Sequence, residues 1–115
     1  MPDGTIDRAV FEELKVTAGA DFVGELVDTF LSEAPNMLSD LRRALDADDA
    51  ERFRRVAHSL KSNSNTFGAS SLAAMARNLE LGGFGAARAG NGEPMSALAD
   101  EYSRVAQALA ELRRG

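Results

Sequence analysis

Apolar residues recur at intervals of three and four along nearly the whole chain, and nowhere in strict alternation. That period predicts amphipathic helices and no strands. Ile6, Val10 and Leu14 mark a short first helix, which Gly19 would end. Val23, Leu26, Val27, Phe30, Ala34, Leu38, Leu41 and Leu45 keep one phase through Pro35. This predicts one long helix kinked at the proline, although two separate helices satisfy the same spacing. The run "DADDAE" breaks the pattern. Asp48 with Glu51 three residues on reads as an N-cap and its capping-box partner. The next stripe is Phe53, Val56, Ala57, Leu60, Ser64 and Phe67, with Gly68 as a left-handed stop. Leu72, Met75, Ala76 and Leu79 mark a fourth helix, and Gly82 to Gly92 reads as a glycine-rich loop. Pro94 suits the first position of a last helix carrying Met95, Leu98, Tyr102, Val105, Leu109 and Leu112.

Four substantial amphipathic helices on short connections predict an all-α, antiparallel up-down four-helix bundle. The short additional N-terminal helix would cap one end. With 115 residues the chain suffices for one domain and not for two, so 1–115 reads as a single unit with its bundle core at about 20–113.

Composition narrows the chemistry. The chain has no cysteine and one histidine, which excludes disulfides, thiolate sites and a typical zinc site. A formal net charge of −5 argues against nucleic acid or an anionic lipid surface as partner. No apolar run approaches the ~18 residues of a membrane span, and the first residues do not resemble a secretory signal, so the expectation is a cytoplasmic protein. "DADDAE" has Ala50 and Glu51 where a calcium loop needs other residues. "GFGAAR" lacks the third glycine of a dinucleotide fingerprint and follows a helix.

His58 is therefore the one reactive group that stands out. On a count of about 100° per residue, Val56, Ala57, Leu60, Ser64 and Phe67 fall within about 60° of Phe53, whereas His58 falls about 140° away. Its face carries Arg54, Lys61, Ser62 and Asn65. Ser62, one turn on, is small and leaves the imidazole uncovered. Lys61 disfavours a second positive charge and would help keep the ring neutral and nucleophilic. A solvated surface histidine on a helical adaptor or structural bundle is the alternative reading of the same residues.

The stretch AHSLKSNSNTFGASSLAAMARNLE, Ala57 to Glu80, resembles the histidine-containing phosphotransfer (HPt) domain of bacterial two-component phosphorelays. The matching pattern is Ala57-His58-x-Leu60-Lys61, then Gly68, Leu72 and Leu79-Glu80. The upstream ELVDTFLSEAPNMLSDLRRAL is similar to the family's second helix. Ser62 stands where the family usually has glycine, and Ala76 where many members have cysteine. The resemblance implies a four-helix bundle whose His58 accepts a phosphoryl group from a receiver-domain aspartate or a kinase and relays it to another receiver, with Lys61 stabilising the charge. It implies a phosphoryl carrier rather than an independent catalyst, with no ATP site. No cofactor belongs to this chain, since a receiver brings its own acidic pocket and Mg²⁺. The implied partners are response-regulator receiver domains and a sensor or hybrid histidine kinase. A monomer is expected, since the helices can bury their stripes within one chain. Arg54, Arg55, Ser62 and Asn65 would form the docking face, the arginines steering an acidic partner. A dimerising kinase helix fits less well, because Ser59 and Asn63 stand where its histidine box has an acidic residue and a proline.

Overall fold

The computed structural model describes residues 5–89 and 93–114. The order of elements is α1 (Arg8–Ala18), α2 (Ala20–Asp46), α3 (Ala50–Thr66), α4 (Ser70–Asn78), a wide π-type turn (Leu79–Gly83), α5 (Phe84–Ala89) and α6 (Glu93–Arg114). There is no strand among the described residues. The bundle consists of α2, α3, α4 with its α5 extension, and α6, and the molecule, α1 included, measures 42 × 27 × 19 Å. Helix α3 lies at its centre, packed most extensively on α4 and α2.

The boundaries have local causes, and three differ from the sequence reading. Asp7 caps α1, its Oδ1 accepting from the amides of Ala9 and Val10 at 3.0 and 3.4 Å. The helix thus begins after Ile6, which lies outside its phase. Phe11 rather than Val10 becomes the buried residue of α1, and Val10 is exposed. Asp49, not Asp48, caps α3, accepting from the Arg52 amide at 3.1 Å. Asp48 instead takes a left-handed conformation at φ 57°, which aspartate tolerates better than most residues. That turn lets the Asp49 amide donate to the Ala44 carbonyl at 2.8 Å and close α2.

Helix α2 runs through Pro35 as one helix. Proline has no N–H, so the Leu31 carbonyl four residues back loses its helical donor. The Tyr102 hydroxyl of α6 donates to that carbonyl at 3.4 Å. Tyr102 also packs edge-on to Phe30 at 5.9 Å, and Phe30 lies 5.4 Å from Phe67. This aromatic cluster ties α2, α6 and the end of α3 together. Beyond α3, Gly68 at φ 77° makes the left-handed stop, and its carbonyl accepts from the Asp7 amide at 2.8 Å. A side chain there would meet the Asp7 backbone and Val10, so α1 is seated on a glycine. Arg113 near the end of α6 makes a two-pronged pair with Asp28 of α2, both contacts 2.8 Å.

The stretch expected to be a loop from Gly82 is largely helical. Gly82 has φ 118°, a conformation closed to L side chains, and a Cβ on Gly83 would sit 2.8 Å from the Asn78 carbonyl oxygen. The two glycines turn the chain between helices rather than unravel it. Phe84 then lands edge-on against Phe53 of α3 at 5.4 Å. The remainder of that expected loop, residues 90–92, lies outside the described residues.

Candidate functional site

The inner face of α3 buries Phe53, Ala57, Leu60 and Ser64 completely. Because the helix is pinned along this stripe, the residues about 140° around it must face outward. The His58 side chain is 56% exposed, and Ser62 one turn on is exposed as well.

The wide turn after α4 brings Glu80 across to α3. Its Oε2 lies 2.7 Å from His58 Nδ1, and its Oε1 lies 2.8 Å from Lys61 Nζ. The carboxylate is thus shared between an imidazole and an ammonium, with its own side chain only 14% exposed. The Lys61 ammonium, and after it the His58 ring, hold the Glu80 carboxyl below its ordinary range. An ionised carboxylate can only accept, so His58 donates its Nδ1–H to Glu80. Whenever the ring is neutral, that proton is its only one, and Nε2 keeps its lone pair. A neutral ring with Nε2 unprotonated on an exposed helix face can act as a nucleophile.

Lys61 reaches the same carboxylate as His58. Its charge is not turned on the ring alone, since the nearest carboxylate oxygen takes it up. Glu80, which supplies that oxygen, also meets His58 Nδ1 with its other oxygen. The sequence reading assigned Glu80 no part in the site, although the Leu79-Glu80 pair belongs to the family pattern. Its link to His58 spans 22 residues and depends on how the turn after α4 leans on α3, which no helical period encodes.

The remaining expected residues divide around the ridge of α3. Arg54 stands on the Glu80 side, 57% exposed and 3.7 Å from Glu51. There it borders a hollow of about 380 Å³ floored by Phe53, Leu79 and Phe84. Arg55 lies on the other flank, in a groove of about 350 Å³ where Val56 and Ser59 face Glu33, Met37 and Asp40 of α2. Asn65 is exposed in the last turn of α3. Arg52, in the same groove as Arg55, pairs with Asp40 at 3.1 Å and stitches α3 to α2. Among the described residues no group of three or more His, Asp or Glu side chains could hold a metal, and no helix is long and apolar enough to cross a membrane.

No curated protein sequence matches the chain. Among solved structures, that of histidine-containing phosphotransfer protein B (HptB) from Pseudomonas aeruginosa PAO1 is similar at a TM-score of 0.80 and 30% sequence identity, over 98% of this chain and 97% of that one. The family model described as the Hpt domain matches residues 25–115, a span that contains α2 from Glu25 onward, the whole of α3 with His58 and Lys61, and Glu80. With the bundle, the exposed histidine and this match in agreement, the chain belongs to the Hpt domain family.

Proposed function

We propose that His58 is the residue through which this chain performs the histidine phosphotransfer of its family. The observation that carries the proposal is the 2.7 Å contact between His58 Nδ1 and Glu80 on an otherwise exposed ring. It leaves Nε2 as the nitrogen able to attack. In the forward step the Nε2 lone pair attacks phosphorus of an aspartyl phosphate on a receiver domain. An N–P bond forms, the acyl O–P bond breaks, and the aspartate leaves as a carboxylate. The Nδ1 proton stays on the ring, in its contact with Glu80. Reversal toward a second receiver completes the relay. Phosphoryl transfer depends on positioning and charge more than on covalent machinery from the protein, so a rigid helix bearing one bare nitrogen is enough on this side.

The chain is in this reading a cytoplasmic phosphoryl carrier, not an enzyme in its own right. Its partners are response-regulator receivers and a sensor or hybrid histidine kinase, and it acts as a monomer. Arg54, Arg55, Ser62 and Asn65 are the docking face. Lys61 offers a positive charge one turn from the acceptor. The test is incubation with a phosphorylated receiver, wild type against His58→Gln. The expected result is acid-labile, base-stable label on the wild type and none on the variant, with the helical fold retained. Label that persists on His58→Gln overturns the assignment.

A further inference from the structure

A side chain on an α-helix leans toward the helix N-terminus and covers the turn before its own. On α3 this carries the His58 ring over the turn of Arg54 and Arg55, away from Ser62 and Asn65. The ring's Nδ1 is drawn to Glu80, on the flank where Arg54 stands. Arg55 lies on the other flank, in the groove where α2 presents the acidic Glu33 and Asp40. Residues four apart on one helix face have Cβ atoms about 5–6 Å from each other, well within the reach of an arginine. A phosphoryl group on Nε2 brings a charge of about −1.5 to −2 and three acceptor oxygens to this spot. Lys61, on the same face, already serves a buried oxygen of Glu80 at 2.8 Å. Arg54 is held less firmly. Its side chain is 57% exposed, and its partner Glu51, 3.7 Å away, is 74% exposed. Such a pair in solvent binds its members weakly. A phosphoryl group can take two parallel N–H bonds from a guanidinium, and so outcompetes one distant carboxylate oxygen.

We propose that Arg54 is a phosphoryl-binding residue: once His58 carries the group, the guanidinium leaves Glu51 and closes on the phosphoryl oxygens from the turn before. This rests on the reading of His58 as the acceptor and gives Arg54 a second part beyond steering the partner. Glu51, Arg54 and Glu80 line one open hollow of about 380 Å³, so the guanidinium has free space between its present partner and the carboxylate beside His58. The new contact exists only in the phosphorylated protein. It therefore stabilises the product of the forward step and leaves the unphosphorylated helix as it was. Glu51 is the competitor that parks the arginine between turnovers.

Steering and binding are separated by an equilibrium. The balance of phosphoryl between this chain and a receiver depends only on the free proteins. A residue that merely guides their encounter changes rates in both directions and leaves the balance where it was. The full chain is mixed with a phosphorylated receiver domain, and the distribution of label is read once transfer has levelled. Arg54→Gln should move the balance toward the receiver by about tenfold, the worth of charge-assisted hydrogen bonds to one group. Glu51→Gln should move it the other way, and in the Arg54→Gln background that gain should largely vanish. A second measurement needs no partner protein. Phosphoramidate can label the imidazole directly, its own P–N bond breaking as ammonia leaves and the new N–P bond forms. On labelling, the NMR signal of the Arg54 Nε–H should shift and its exchange with water should slow, and His58→Gln should show neither change. An unchanged balance in Arg54→Gln, or a guanidinium signal that ignores labelling, overturns the proposal and leaves Arg54 as a steering charge. A wild type that takes label from neither donor overturns the assignment of His58 itself, and the second part of Arg54 with it.

Discussion

The two faces of α3 share one backbone and have almost nothing else in common. The inner face carries Phe53, Ala57, Leu60 and Ser64, all fully buried, and holds the bundle together by exclusion of water. The outer face carries Arg54, His58, Lys61, Ser62 and Asn65, and only Lys61 among them is substantially covered. Its one ordered constellation, His58 with Glu80 and Lys61, is made of charge-assisted contacts at 2.7 and 2.8 Å. Such contacts at a solvent edge add little to stability but fix direction well. The inner face therefore decides whether the helix is there, and the outer face decides what a partner meets. Substitutions on the two faces should separate these effects.

The largest separation is between Phe53→Ala and His58→Gln. Removing a buried phenylalanine that also meets Phe84 should cost about 3–5 kcal/mol in urea unfolding. His58→Gln should leave the unfolding midpoint nearly unchanged and abolish phosphorylation. A His58→Gln protein destabilised as much as Phe53→Ala would merge the two faces into one. Ser62 comes next. Ser62→Leu should slow transfer from a receiver without changing stability, and Ser62→Gly should be tolerated, as single-turnover rates would show. Equal rates for Ser62→Leu and wild type would mean that the partner does not approach over this turn. Arg54→Glu and Arg55→Glu should each slow association by about tenfold or less, with the loss shrinking as salt is added. Because the two arginines lie on opposite flanks of the α3 ridge, unequal losses would tell on which side the partner leans.

Smaller effects concern the carboxylates and the core. Glu80 and Asp28 both have folded-state values depressed below the ordinary 4.5 and 3.8. Their contribution to stability is complete above those ordinary values and is lost as pH falls through the depressed ones. Unfolding measured across an acid pH series should therefore decline less steeply for Glu80→Gln than for wild type. The smallest effect is expected inside. The Ser64 hydroxyl is buried and has no hydrogen-bond partner among the described residues. Ser64→Ala should be neutral or stabilising by about 1 kcal/mol, since it removes an unsatisfied polar group.

The four bundle helices, the continuity of α2 through Pro35 and the outward direction of His58 were legible because they depend on a single period repeated along the chain. Where the structure departs from that reading, the cause is local stereochemistry or contact at a distance. Asp48 and Asp49 are both plausible caps by type, and only the left-handed turn at Asp48 selects the second. Gly82 and Gly83 carry the composition of a loop, but they serve a bend between two helices, with Phe84 fixed by Phe53. Val10 has the spacing of a core residue until Asp7 sets where α1 begins. Glu80 is the costliest omission, since it meets His58 from the turn after α4, 22 residues away in sequence.

The pairing of Pro35 with Tyr102 has a practical consequence. The chain has one tyrosine and no tryptophan. Its near-ultraviolet spectrum therefore comes chiefly from a phenol packed against Phe30, with its hydroxyl on the Leu31 carbonyl and its ionisation pushed up by burial. This optical reporter reads the α2–α6 seam and is chemically separate from the imidazole of His58. Binding or phosphorylation that stays local to α3 will leave the tyrosine signal silent, whereas any event that slides α6 along α2 will register in it without a label.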